Sequence, residues 1–105
     1  MKLLTKDLRG KLPKLYATEN TPVEEKTAVV KFFTPDSSWT WYAVEFDGDD
    51  QFFGWVHGHE KEWGYFSLKE LESVLGPLGL PIERDLYFKP TKIRDIGGYY
   101  VAMPT

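Results

Sequence analysis

The sequence predicts an α+β fold: an antiparallel sheet of four to five strands with two short helices packed on it. Three observations point there. β-Branched and aromatic runs recur between residues 28 and 66, separated by turn residues, with Asp47-Gly48 the clearest turn. The connections between these runs are only a few residues long, which suits antiparallel hairpins and leaves no room for parallel crossovers. Leucines spaced three to four apart at 3–12 and 68–75 flank the strands.

In chain order, Leu3, Leu4, Leu8 and Leu12 share one helical face, Thr5 or Asp7 favours the start, and Pro13 stops the run. Residues 13–26 carry two prolines and Asn20 and read as a surface connection. Strands are expected at 28–33, 39–46, 51–56 and 62–66, with turns at Pro35–Ser38, Asp47–Asp50 and Gly58. Ser67 followed three residues later by Glu70 has the capping-box form, and Gly76 suits a helix C-cap. Leu86-Tyr87-Phe88 reads as a short extended segment ending at Pro90. Thr91 reads as the cap of a last helical turn through Ile93 and Ile96. Gly97-Gly98 frees a tail, Gly97–Thr105.

A chain of 105 residues fits one domain spanning 1–105. It has no cysteine, which excludes disulfides and thiolate metal sites. A formal charge of -3 argues against bulk attraction to nucleic acid or to an anionic membrane. No apolar run reaches the roughly 7–15 residues of a signal peptide or the roughly 18 of a membrane span. A cytoplasmic location is therefore expected, with no membrane partner.

The average charge hides two patches of opposite sign. Lys2, Lys6, Arg9, Lys11 and Lys14 make the first fourteen residues basic, while Glu45, Asp47, Asp49, Asp50, Glu60 and Glu62 surround a single Lys61. The basic face at Lys2, Lys6, Arg9 and Lys11 would contact phosphates if Lys89, Lys92 and Arg94 lay beside it. The acidic hairpin at Asp47, Asp49 and Asp50 would steer a basic partner.

Aromatics give the largest signal. Four Trp, six Tyr and seven Phe are present, and twelve of these lie between Phe32 and Phe66. Trp39 and Trp41 alternate with Tyr42, and Trp55 with Phe52, so the strands are aromatic on both faces. Two short helices can cover one face well. The other is then expected to present its aromatics to a protein partner or to stacked bases; with either face open to this role, the candidates are Trp39, Trp41, Tyr42 and Trp55. His57-Gly58-His59 holds both histidines of the chain and is the only candidate metal pair; a third ligand would have to come from elsewhere, and Gly58 bends the chain between the two rings. Neither a nucleophile motif nor a phosphate-cradling loop occurs, and no cofactor is implied.

The run Gly64-Tyr65-Phe66-Ser67-Leu68, continuing through Glu70-Leu71-Glu72 to Gly76-Pro77-Leu78-Gly79-Leu80-Pro81-Ile82-Glu83-Arg84-Asp85-Leu86-Tyr87-Phe88, resembles a family of small bacterial proteins known as domain of unknown function 2958. Lys31-Phe32-Phe33-Thr34-Pro35 and Trp39-Thr40-Trp41-Tyr42 are similar to it as well. The likeness covers most of residues 1–96. It implies a plasmid or integrative-element setting and transfers no catalytic residue. The expected function is a non-enzymatic protein-interaction module of a mobile element, in defence evasion or element maintenance. The alternatives are a nucleic-acid binder using aromatic stacking and the basic helix, and a small metal-dependent hydrolase built on His57 and His59.

Overall fold

The computed structural model describes residues 1–96; the expected Gly97–Thr105 tail lies outside them. Helix α1 spans Lys6–Lys11, shorter than the predicted 3–12. Thr5 is its N-cap, its hydroxyl accepting the Leu8 N–H at 3.2 Å, and the chain turns extended at Leu12 before Pro13. A six-residue helix is marginal by itself. It is fixed here by buried leucines on either side of it, Leu3 and Leu4 before and Leu12 after.

Strand β1 (Thr27–Ala28) leads into β2 (Val30–Phe33), β3 (Thr40–Phe46), β4 (Gln51–His57) and β5 (Lys61–Ser67). Helix α2 (Leu68–Ser73) follows β5 directly, with the Ser67 hydroxyl accepting the Glu70 N–H as the capping-box spacing predicts. Strands β6 (Glu83–Arg84) and β7 (Thr91–Lys92) complete the described chain. The main sheet has the order β5-β4-β3-β2-β6, with antiparallel neighbours throughout, and β1 pairs with β7 as a separate ribbon. The α+β class is as predicted.

Four expected elements differ. The single strand expected at 28–33 is divided, Thr27–Ala28 pairing with Thr91–Lys92 while Val30–Phe33 joins the main sheet. The fifth strand is Glu83–Arg84 and not Leu86–Phe88, because Asp85 turns the chain: its carboxylate accepts the Tyr87 N–H at 2.9 Å and its carbonyl that of Phe88. Thr91 does not cap a helix. It pairs with Ala28, and a short 3-10 turn at Ile93–Asp95 follows without a side-chain cap. Gly76 is not the C-cap of α2, which ends at Val74 in extended geometry. A Cβ at Gly76 would lie 1.6 Å from Asp36 Oδ1, so glycine is needed there for close approach.

Both faces of the sheet are covered. On one, Leu3, Leu4, Leu12, Leu68, Leu71 and Ile82 pack against Val30, Phe32, Ala43, Phe46 and Phe52. On the other, Ala28, Ile93 and Ile96 close over Tyr42, Val44 and Trp55, with Phe88 and Trp63 at the margin. Tyr42 is 7% exposed and Trp55 4%. This corrects the expectation that both present themselves to a partner. The cover is no helix but the irregular stretch after Arg84, pinned by Lys31–Asp85 and by Glu25, which pairs with Lys92 and Arg94.

Candidate functional site

The remaining two tryptophans sit at the start of β3. Trp39 stacks on Trp41 with ring centres 5.8 Å apart and packs edge-on to His59. Its ring also lies where a Cβ on Gly58 would come within 2.3 Å, so the glycine that bends the β4–β5 turn also makes room for it. The preceding turn is held closed by Thr34 and Trp39, whose main chains bond at 3.1 Å and whose Thr34 hydroxyl accepts the Trp39 N–H.

From that turn Asp36 reaches across to the loop after α2. Its Oδ2 accepts the N–H groups of Leu78 (2.8 Å) and Leu80 (3.3 Å), while Oδ1 is buried without a hydrogen-bond partner among the described residues. The loop held in this way turns its apolar side chains outward: Leu78 is 81% exposed and Leu75 62%, with Val74 and Leu80 also exposed. Between loop and tryptophans lies a cavity of about 330 Å³ walled by Trp39, Trp41, Val74, Leu75, Gly76 and Pro77. A contiguous apolar surface of this kind, rimmed by polar Thr34 and Ser37, is the sort that marks a contact site.

The two charged patches are neighbours, and most of their groups have internal roles. Asp47 Oδ1 accepts the N–H groups of Asp49, Asp50 and Gln51 at 2.8, 2.8 and 3.0 Å, and these bonds hold its pKa down. Asp50 accepts the Ser67 hydroxyl at 2.6 Å and the Lys69 N–H at 2.8 Å, tying the hairpin to the start of α2; both bonds lower its pKa. Asp49 is exposed. Arg9 donates to the Gly48 carbonyl at 3.1 Å and lies over the Phe46 ring, and Lys11 pairs with Asp7 at 3.2 Å. Lys2 and Lys6 are exposed, whereas Lys92 and Arg94 both meet Glu25. The hairpin is about eight residues from Trp39 along β3, roughly 26 Å at strand rise. The structure therefore brings the acidic turn to the basic helix and not to the tryptophans.

The two histidines face different surroundings. His57 packs edge-on to Tyr42 and Trp55, with Nε2 buried and unpaired among the described residues, while His59 is exposed against Trp39. Among the described residues, no group of three or more His, Cys, Asp or Glu is placed to hold a metal ion. Burial, and then the Lys61 and Lys31 ammonium groups, hold the His57 pKa below its ordinary 6.5. The unfolded chain then binds more protons than the folded one, so stability from this site is complete above the ordinary pKa and declines as pH falls below it. The expected result is a melting temperature that falls as pH drops below about 6.5, with a component removed in His57→Gln. A ring that titrates at or above its ordinary value by NMR would contradict this.

Sequence reasoning missed two features. One is the outward-facing Leu78 and Leu80, in a segment whose Pro77, Gly79 and Pro81 signal a turn but not the direction of its leucines. The other is a buried polar cluster. Glu45 is 3% exposed and Lys26 6%. Glu45 accepts the Tyr16 N–H at 2.8 Å and the Thr18 N–H at 3.0 Å. The Thr18 hydroxyl donates to Glu45 and accepts from Lys26 Nζ, which also donates to the Thr18 carbonyl. The available signal was an acid alone in an otherwise apolar strand.

This is an α+β protein with a meander sheet, covered on both faces, and an apolar groove at one end. The chain belongs to the DUF2958 family, a family of proteins of unknown function, whose model it matches over residues 3–100. Comparison with curated proteins and with solved structures finds no match. No helix among the described residues is long and apolar enough to cross a membrane.

Proposed function

We propose that this chain is a non-enzymatic protein-interaction module that takes apolar side chains of a partner into the groove between Trp39–Trp41 and the Val74–Leu80 loop. The observation that carries the reading is exposed Leu75 in the wall of a cavity that it shares with a stacked tryptophan pair. Aromatic and aliphatic anchors at the centre of an interface dominate binding energy. Asp36 supports the same reading, because it holds the exposed loop in place and so lowers the ordering cost of docking. The family resemblance supplies the setting: a bacterial mobile element or plasmid, and a role in defence evasion or element maintenance. Nucleic-acid binding draws less support, since Arg9, Lys11, Lys92 and Arg94 already have partners within the chain.

Affinity capture from bacterial lysate, quantified by mass spectrometry, tests the proposal. Leu75→Asp places a charge on a groove side chain that touches water, so folding is expected to be unchanged while the captured partner falls by about 30-fold, the effect of losing a hot spot near 2 kcal/mol. Trp41→Ala is expected to act in the same direction. Equal capture by wild type and by folded Leu75→Asp would sink the proposal.

A further inference from the structure

The main sheet ends very differently on its two sides. On one side β6 contributes two residues. On the other, β5 runs for seven residues, and among the described residues its only strand partner is β4. The β4–β5 pairing is unbroken from Gln51–Ser67 to His57–Lys61, so no bulge twists the edge away, and β5 contains no proline. Edges of this length are ordinarily blunted by a bulge, a proline or charge, or covered, and the charges of β5 are confined to its first two residues, Lys61 and Glu62.

We propose that β5 pairs with β5 of a second copy of this chain, antiparallel about a twofold axis at Gly64, making one continuous ten-stranded sheet. The occupant follows from the strand's own pattern. Gly64 is the middle residue of Lys61–Ser67, so this register alone pairs all seven residues. It sets Trp63 opposite Tyr65 of the second copy, an aromatic cross-strand pair on each side of the axis. Those rings already form a row with Phe53, at 5.5 and 5.1 Å, and the row would continue across the boundary. Charge agrees. Lys61 of one copy arrives opposite Ser67 of the other, whose hydroxyl donates to Asp50 beside the acidic turn. At the axis the two Gly64 residues meet, and a Cβ there would touch nothing within 4 Å in the single chain.

That open space makes the test specific. Full-length protein is examined by sedimentation at increasing concentration, as wild type, Gly64→Glu, Gly64→Lys and an equal mixture of the two variants. Wild type is expected to shift from monomer to dimer in the micromolar range. Each variant alone is expected to dimerise about tenfold more weakly, because like charges face each other at the axis, with no loss of melting temperature. The mixture is expected to recover the dimer. A wild type that stays monomeric overturns the proposal, and protected β5 amides in such a monomer would point to another occupant of the edge. A dimer of unchanged affinity in both single variants, or a mixture that dimerises no better than either variant alone, also overturns it. None of these substitutions touches the Trp39 groove, so failure here leaves the docking proposal standing.

Discussion

Gly54→Ala is expected to lower stability by about 4 kcal/mol or more, a fall in melting temperature of at least ~15 °C for a domain of this size. Gly54 sits opposite Ala43, next to the register shift that leaves one extra residue of β3, Val44, between Ala43 and Glu45. A Cβ at Gly54 would lie 1.9 Å from the Tyr42 carbonyl oxygen, 2.9 Å from its carbon and 3.2 Å from the Ala43 Cα. All three are backbone atoms in the centre of the sheet, so no side chain can swing aside. The substitution either straightens the bulge or parts β3 from β4. Its cross-strand neighbour Gly64 provides the control. Gly64→Ala meets open space and is expected to be neutral or slightly stabilising, since alanine loses less backbone entropy on folding. Thermal denaturation of the two variants side by side checks both, and equal melting temperatures would refute the bulge geometry.

Glu45→Ala is the second large effect, expected to cost about 3–5 kcal/mol. The carboxylate is the acceptor for two main-chain N–H groups and the Thr18 hydroxyl, all from the 16–18 turn. Removing it leaves those part-buried donors without their acceptor and leaves the buried Lys26 ammonium without its bridged counter-charge. The turn also holds Tyr16 at a φ of 69°, a left-handed conformation costly for a tyrosine. The hydrogen bond from Tyr16 N–H to Glu45 helps keep it there. Replacing Lys26 by Met in the same chain is expected to recover part of the loss, because no unpaired charge is then buried. Urea unfolding of the two single variants and the double variant measures the coupling. Strict additivity would mean that Thr18 does not relay between the two charges.

The strands, their antiparallel meander and the start of α2 were legible because each rests on local chemistry. Asp47-Gly48 turns where φ must be positive, Ser67 and Glu70 sit at capping spacing, and β-branched and aromatic runs lie between them. Illegible features were those set by distant partners. Nothing near Gly76 announces that Asp36 will occupy the space of its missing side chain. Leu3 and Leu4 share a helical period with Leu8 and Leu12, yet the helix starts after them, because the Thr5 hydroxyl claims the Leu8 amide. The aromatic alternation was read correctly as two apolar faces. Its consequence was misjudged, because counting helices overlooks cover supplied by an irregular segment carrying Phe88, Ile93 and Ile96. At the candidate site Trp39 and Trp41 were visible as aromatic residues. Their partner surface was not, since a Pro-Gly-rich turn gives no sign of which way its leucines face.

The cover over Tyr42 and Trp55 also sets an order of events in time. Thr27 pairs with Lys92, and Glu25 with Arg94, across more than sixty residues of chain, whereas β2 through β5 close through successive hairpins. Local hairpins form before long loops close. On the ribosome the meander can therefore assemble while the residues that complete its second face are still unmade. Until Ile93 and Ile96 emerge, an aromatic surface that the finished molecule never displays stands open to water and to any chaperone within reach.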